Sequence, residues 1–216
     1  MQTVIISGGY IDDAFATEWI KTHAYDQVIA ADKGMDFLYR NHLTPDLIVG
    51  DFDSVSTESL AYFKMNKVRV VELNPMKDDT DTEFAIRKAI SEGASSITLL
   101  GATGTRLDHV MGNVHLLGIG LCEGVDMEIV DAYNRIRMTD KAVEFTKENQ
   151  FGKYVSLLPF SEEVTGVTLE GFKYPLLDDT LKRFCTLGVS NEIVEENAKV
   201  QLEEGILVVI ESRDEG

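Results

Sequence analysis

The first 130 residues alternate short apolar runs with longer amphipathic stretches, and this alternation restricts the fold more than any other feature. The apolar runs, which are typical of buried strands, are residues 3–7, 27–31, 47–50, 68–73, 96–100 and 127–130. The stretches between them have apolar residues at helical spacing, as with Phe15, Trp19 and Ile20. Strands and helices in regular alternation predict a mostly parallel sheet with helices on both faces.

The pattern changes beyond about Tyr133. The remaining segments are short, alternate between apolar and polar residues, and are rich in turn residues: 135–139, 142–146, 153–158, 164–169, 200–202 and 206–211. We expect a hairpin around Glu203–Gly205 and a short helix near Asp179–Phe184. These features predict antiparallel strands.

This change places a domain boundary between residues 132 and 140. We expect residues 1–134 to form a mostly parallel α/β/α sheet domain and residues 135–216 to form a small antiparallel β-sandwich domain. The chain has 216 residues and 44% apolar content, so it is long enough to bury a sizeable core.

The charge of the chain restricts its partners. Its formal net charge is −17, whereas a protein that binds a nucleic-acid backbone needs a basic surface. An anionic substrate would gain nothing from the field of the whole protein. Any phosphate chemistry must therefore depend on a few local cations and a metal ion.

The sequence also disfavours disulfide-rich, zinc-binding, membrane-spanning and secreted proteins. Cys122 and Cys185 are too few for a disulfide framework, and their spacing matches no zinc site. No apolar run approaches the roughly 20 residues that a membrane span requires. The first strand follows the initial Met with no basic segment typical of a signal peptide. We expect a cytoplasmic protein that binds neither membranes nor nucleic acid.

Asp51 and Asp53 follow the apolar run Leu47–Gly50 directly. Side chains two residues apart in an extended segment point to the same side, so one cation could touch both carboxylates. Ligands of open α/β sheets bind outside the carboxyl ends of the strands. The alternative is a solvated acidic turn that closes the strand.

A second acidic stretch, Lys77–Glu83, lies between the fourth strand and its helix. Asp, Thr and Glu are what a helix amino terminus prefers, and Thr80 with Glu83 fits a capping box. Asp78 and Asp81 are three residues apart and share a face of the first turn. The topology brings this stretch to the same sheet edge as the first pair, where converging carboxylates favour Mg²⁺.

The segment Gly101–His109 lies between the fifth strand and its helix. Glycines ahead of a helix leave backbone N–H groups free to face a phosphate. Arg106 could contact that phosphate, and Asp108 could fix the arginine or accept a hydrogen bond from a base or sugar. The segment is not a P-loop. The alternative for this segment is an ordinary turn, with Asp108 complementing the helix dipole. An ordinary turn is also the alternative for Leu187–Glu192 in the second domain.

Together these motifs resemble the thiamine pyrophosphokinase (thiamine diphosphokinase) family. The resemblance is carried by Gly50-Asp-Phe-Asp-Ser54, Asp78-x-Thr-Asp81 and Gly101-Ala-Thr-Gly-x-Arg-Leu-Asp-His109, in this order. Pro45-Asp46 and Leu187–Asn191 match as well. The resemblance covers nearly the whole chain.

This resemblance implies an amino-terminal α/β domain, a carboxy-terminal β-sandwich and a homodimer with active sites between subunits. It also implies an enzyme that transfers pyrophosphate from ATP to thiamine with Mg²⁺. The implied Mg²⁺ ligands are Asp51, Asp53, Asp78 and Asp81. The implied ATP-binding residues are Asp32, Thr80, Thr82, Arg106 and Asp108. Ser190 and Asn191 are implied for the thiamine pocket, and Asp51, Asp53, Asp81 and Arg106 for catalysis.

The chain departs from the family pattern at three points. It has Lys33 where the family often has glycine, so the lysine could supply positive charge, and it has Gly104-Thr105 where two glycines are usual. Its only Trp is Trp19, in the first domain, whereas animal members stack a carboxy-terminal Trp on the pyrimidine. Phe184 is a candidate for that stacking.

Two other functions fit parts of the sequence. In a haloacid-dehalogenase-like phosphatase, Asp51 would be the nucleophile and Asp53 the acid–base, although that motif usually follows the first strand. A module that senses a nucleotide or thiamine would bind without turnover.

Overall fold

The computed structural model describes residues 1–53, 55–74 and 79–215. The chain divides into two compact units, Met1–Ala132 and Tyr133–Gly216. Each unit is described by itself below.

The first unit alternates strands and helices. Its strands are β1 Gln2–Ile6, β2 Gln27–Ala31, β3 Leu47–Gly50, β4 Arg69–Glu72, β5 Ser96–Leu100 and β6 Asp126–Val130. Its helices are α1 Asp13–Thr22, α2 Gly34–Arg40, α3 Thr57–Met65, α4 Asp81–Ser91 and α5 Leu107–Glu123. The strands pair in the order β6-β5-β1-β2-β3-β4, and every pair is parallel.

The strand order reverses beside β1. The chain runs outward through β2, β3 and β4 on one side of β1, and then returns to place β5 and β6 on the other. The middle strands are buried along most of their length, as Val4, Ile29 and Ile48 show. Loops that leave such a sheet on either side of the reversal open a crevice at its carboxyl edge, where ligands bind.

Local signals in the sequence set several helix ends. The N-cap side chain of Asp12 accepts a hydrogen bond from the Phe15 N–H at 2.8 Å at the start of α1. Gly124 ends α5 in the left-handed conformation at φ 68°. Local capping therefore sets where α1 begins and where α5 ends.

Among the described residues of the second unit, 133–215, the regular elements are all strands. They are β7 Asn134–Thr139, β8 Val143–Thr146, β9 Tyr154–Pro159, β10 Glu163–Glu170, β11 Leu176–Lys182, β12 Asn191–Glu192, β13 Asn197–Gln201 and β14 Leu207–Ser212. Two antiparallel layers form, in the orders β12-β9-β14-β7 and β11-β10-β13-β8. Buried residues from both layers, among them Leu157, Val209, Val164 and Val200, form one core. The predicted fold class, a parallel α/β sheet followed by an antiparallel β-sandwich, is confirmed.

Two local predictions in this unit are wrong. Residues 179–184 do not form a helix, because Leu176–Lys182 pairs with β10 as a strand. Glu203–Gly205 does not close a hairpin, because β13 and β14 lie in different layers. Instead, the Glu203 N–H donates to the Thr165 carbonyl, and the Thr165 N–H donates to the Glu204 carbonyl. Long-range pairing overrides the local preference in both cases.

Both cysteines are free and exposed. Within the part of the chain that the structure describes, no helix has the length and apolar character needed to cross a membrane.

Candidate active site

Three carboxylates meet at the carboxyl edge of the parallel sheet. One oxygen from each of Asp32, Asp51 and Asp53 lies within 4.8 Å of the others. Asp32 follows β2 and Asp51 follows β3, and the parallel register that pairs Ala31 with Val49 brings the two strand ends together. An all-oxygen donor set of this size suits a hard divalent cation such as Mg²⁺.

The backbone around these carboxylates is unusual. Asp32 and Phe52 have φ angles of 48° and 62°, in the left-handed region that residues other than glycine rarely adopt. The Asp53 N–H donates to Oδ1 of Asp51 at 3.1 Å, which closes the turn around Phe52. Such backbone conformations concentrate at functional sites, where the surrounding structure holds them.

Gly50 lets the two strand ends approach. A Cβ atom at Gly50 would lie 3.2 Å from the Cα of Asp32 and 3.1 Å from Cε1 of Phe52. A larger residue would require the Asp32 backbone and the Phe52 ring to shift by a few tenths of an ångström. The glycine at the end of β3 therefore allows this close approach without a shift.

The first turn of α4 is attached to the end of β1. Thr80 is the N-cap, and its Oγ1 accepts from the Glu83 N–H at 3.1 Å, which is one half of the predicted capping box. The Glu83 side chain accepts from Arg87. Thr82 donates its hydroxyl to Oγ of the buried Ser7 at 3.1 Å. Asp81 is the first residue of α4 and is not one of the three clustered carboxylates. Asp78 lies outside the described residues.

The loops that follow β1 and β5 are joined where the strand order reverses. The Gly9 N–H donates to the Gly101 carbonyl at 2.7 Å, and the Tyr10 N–H donates to the Thr103 carbonyl at 2.9 Å. Gly101 has a φ of 67°, in the left-handed region that favours glycine. The glycines thus let two loops meet in the crevice.

Arg106 and Asp108 form an exposed ion pair after β5. Nη2 of Arg106 lies 2.5 Å from Oδ2 of Asp108, and the side chains are 70% and 64% exposed. The hydrogen bond from Arg106 lowers the pKa of Asp108, and the same bond raises the pKa of Arg106. Both groups stay charged at neutral pH. Asp108 therefore contacts the arginine and leaves it accessible from solvent.

In the second unit, Ser190 and Asn191 differ in burial. Ser190 is exposed, has a φ of 59° and donates its N–H to Oγ of Ser156 at 3.0 Å. Asn191 is buried, and both ends of its amide bond the backbone of Tyr174. The side chain of Asn191 therefore holds two segments together, and that of Ser190 faces solvent.

The sequence hypothesis for the metal site did not include Asp32, which it placed among the ATP-binding residues. The signal was present, because Asp32 follows a buried strand in the same way as Asp51. Placing Asp32 beside Asp51 also required knowing that β2 and β3 are neighbours in the sheet.

Two family models match the chain, and their order follows that of the two units. Residues 20–128 match the model for the catalytic domain of thiamin pyrophosphokinase. Residues 141–207 match the model for the vitamin B1 binding domain of thiamin pyrophosphokinase.

Individual relatives agree with these matches. The chain is 31% identical over 186 residues to thiamine pyrophosphokinase from Bacillus subtilis. The matched region covers 86% of this chain and 87% of the relative. The crystal structure of the thiamine pyrophosphokinase from Bacillus subtilis has a TM-score of 0.88 at 29% identity and covers both chains fully. That of Geobacillus thermodenitrificans thiamin pyrophosphokinase has a TM-score of 0.86 at 33% identity and covers 100% of this chain and 99% of the other.

Proposed function

The chain belongs to the thiamine pyrophosphokinase family, and we propose that it transfers pyrophosphate from ATP to the hydroxyethyl group of thiamine, giving thiamine diphosphate and AMP. The observation that carries the proposal is the convergence of Asp32, Asp51 and Asp53 at the carboxyl edge of the sheet. Phosphoryl-type transfer depends on positioning and charge neutralisation. Such a reaction needs a cluster of carboxylates that can hold a divalent cation.

The donor atoms fit Mg²⁺. Three carboxylate oxygens within 4.8 Å repel one another, and a hard cation that takes oxygen ligands relieves that repulsion. We propose that Asp32, Asp51 and Asp53 hold the ion, with Asp81 and Asp78 as the further ligands that the sequence resemblance implies. When bound, Mg²⁺ supplies positive charge to the phosphate oxygens of ATP.

We propose that the amino-terminal domain, residues 1–134, binds ATP. Arg106 would contact the phosphates and offset charge that develops on the departing AMP, with Asp108 orienting the guanidinium. We propose that Thr80 and Thr82, at the start of α4, also contact ATP. The pairing of Thr82 with Ser7 supports this proposal.

The proposed reaction is a single displacement. The hydroxyl oxygen of thiamine forms a bond to the β-phosphorus of ATP, and the bond from that phosphorus to the oxygen bridging the α-phosphate breaks. AMP leaves with the bridging oxygen, and the hydroxyl proton is released. The chain binds and orients the two substrates, and no covalent intermediate on the protein is required.

We propose that residues 135–216 form the thiamine-binding domain. The exposed hydroxyl of Ser190 would contact thiamine, and the buried Asn191 would position the segment that carries it. Exposed apolar side chains lie nearby in sequence, with Phe184 fully exposed and Leu187 55% exposed. Apolar groups of this kind suit a flat heterocycle.

We also propose that two copies of the chain associate as a homodimer with active sites between subunits. Helix α5 supports this proposal, because Leu107 and Met111 lie one turn apart and are 71% and 57% exposed. A second copy would cover this apolar stripe. The cytoplasmic location expected from the sequence remains a prediction.

A single assay tests the activity. The purified protein is incubated with ATP, Mg²⁺ and thiamine, and the nucleotides and thiamine phosphates are separated by chromatography. Equal amounts of AMP and thiamine diphosphate, formed only when thiamine is present, are expected. ADP with thiamine monophosphate would indicate a simple kinase, and phosphate release without thiamine would indicate a phosphatase. Binding of ATP with no product would indicate a sensor.

A further inference from the structure

The candidate site presents an electrostatic problem. Asp32, Asp51 and Asp53 concentrate three negative charges at one place in a chain whose formal net charge is −17. The polyphosphate of ATP is strongly anionic, so it must meet local positive charge to bind there. Two described cations lie in loops that follow strands at this edge of the sheet, Lys33 and Arg106.

The side chain of Lys33 starts beside the carboxylates. The residue follows Asp32 directly and forms the N-cap of α2. A Cβ atom at Gly8 would lie 3.2 Å from Cβ of Lys33 and 3.8 Å from Oδ2 of Asp32. The lysine stem and the carboxylate therefore lie over the same glycine at the end of β1.

The two cations differ in what they already bind. Arg106 is paired with Asp108 at 2.5 Å. Lys33 is exposed, and it forms no ion pair with any residue in ranges 1–53, 55–74 and 79–215. Its ammonium is a compact charge on a flexible stem, which suits a phosphate oxygen.

We propose that Lys33 binds a phosphate oxygen of ATP next to the carboxylates of Asp32, Asp51 and Asp53, and that it makes the site selective for a nucleoside polyphosphate over the nucleoside. The inference rests on the proposed function for the identity of the nucleotide. The lysine contacts the part of ATP that the carboxylates repel. Its contribution therefore grows with the number of phosphates on the ligand.

The test compares Lys33→Met with Lys21→Met. Lys21 is an exposed lysine in the last turn of α1, so its replacement removes the same charge away from the site. Calorimetric titration with Mg²⁺ present measures the affinity of each variant for ATP, AMP and adenosine. We expect Lys33→Met to weaken ATP about tenfold or more, weaken AMP less and leave adenosine unchanged. Lys21→Met should match the wild type.

Kinetics give a second measurement. Lys33→Met should raise the KM for ATP about tenfold and leave the KM for thiamine unchanged, and Lys33→Arg should recover part of the loss. An unchanged ATP affinity would overturn the proposal. So would tighter Mg²⁺ binding with ATP affinity unaltered, because Lys33 would then only neutralise the carboxylates.

The titration separates this inference from the proposed function. A wild-type protein that binds ATP but forms no thiamine diphosphate contradicts the proposed activity and still tests Lys33 through the three affinities. A wild-type protein that is active, with Lys33→Met equal to it in ATP affinity and KM, contradicts the role of Lys33 alone.

Discussion

The carboxylate of Asp51 accepts a hydrogen bond from the backbone N–H of Asp53 at 3.1 Å. The bond spans Phe52, whose φ of 62° turns the chain sharply. As a result, two acidic side chains from one loop lie within reach of Asp32 from the neighbouring loop. A short turn with a left-handed residue thus gathers negative charge that is unfavourable without a counter-ion.

Replacing Asp53 with Asn tests the metal role. We expect turnover to fall by about 100-fold or more, because one charged ligand is lost. The free energy of unfolding without metal should stay equal or rise, since the substitution removes a repelling charge. Steady-state kinetics, Mg²⁺ titration and denaturant unfolding measure these effects.

Asp126→Asn is the matched control for that variant. Asp126 is an exposed carboxylate at the start of β6. It therefore lies at the amino ends of the parallel strands, whereas the site lies at their carboxyl ends. It should leave turnover and Mg²⁺ affinity unchanged. Near-normal turnover in Asp53→Asn would contradict the metal role.

Replacing Arg106 with Lys tests the phosphate contact. A lysine keeps the charge but loses the planar fork, so we expect kcat/KM for ATP to fall about 10- to 100-fold. Asp108→Asn should give a smaller loss, because the arginine is present but no longer held. Thermal unfolding should not change for either variant, since the pair is exposed. Equal kinetics in all three proteins would rule out the contact.

Ser190 and Asn191 should respond differently to substitution. Asn191→Ala leaves the backbone N–H and carbonyl of Tyr174 without their partner, at 3.0 and 2.7 Å in the native protein. We expect a loss of about 1–3 kcal/mol in the free energy of unfolding. Ser190→Ala should change stability by less than about 0.5 kcal/mol and raise the KM for thiamine. Denaturant unfolding and kinetics measure the two effects, and the reverse pattern would contradict both roles.

The apolar stripe on α5 predicts the effect of a charge placed there. Met111→Glu should shift a dimer toward monomer, because burying a carboxylate in an interface is costly. Met65→Glu is the control, since Met65 lies on α3 and is 84% exposed. Sedimentation equilibrium measures the association. A dimer of equal strength in the Met111 variant would place the interface elsewhere.

Glu92 predicts a component of stability that depends on pH. Hydrogen bonds from Arg69, Gln27 and Lys88 lower its pKa to about 2 from an ordinary 4.5. A lowered carboxyl pKa adds stability above the unfolded value, and that stability disappears as the pH falls from about 4.5 to about 2. The stability difference between wild type and Glu92→Gln should therefore shrink over this interval. Unfolding in denaturant at a series of pH values measures it, and a constant difference would contradict the prediction.

Short-range patterns predicted much of the fold. The alternation of strands and helices in the first 130 residues led to the parallel sheet, because the central apolar runs, such as Leu47–Gly50, are buried on both faces. The cap at Thr80 followed from residue types three positions apart, which act through one local hydrogen bond. The failures near Asp179–Phe184 and Glu203–Gly205 concern segments whose hydrogen-bond partners are distant in sequence.

The sequence by itself determined which segments carry the candidate acidic and basic groups, because strand ends and helix starts follow from local periodicity. Only the tertiary structure decided which of these groups meet. Asp32 joins Asp51 and Asp53 because β2 and β3 pair in register and because Asp32 and Phe52 adopt left-handed backbone conformations. The sheet order and those two φ angles depend on packing throughout the first unit, and no window of sequence contains that information.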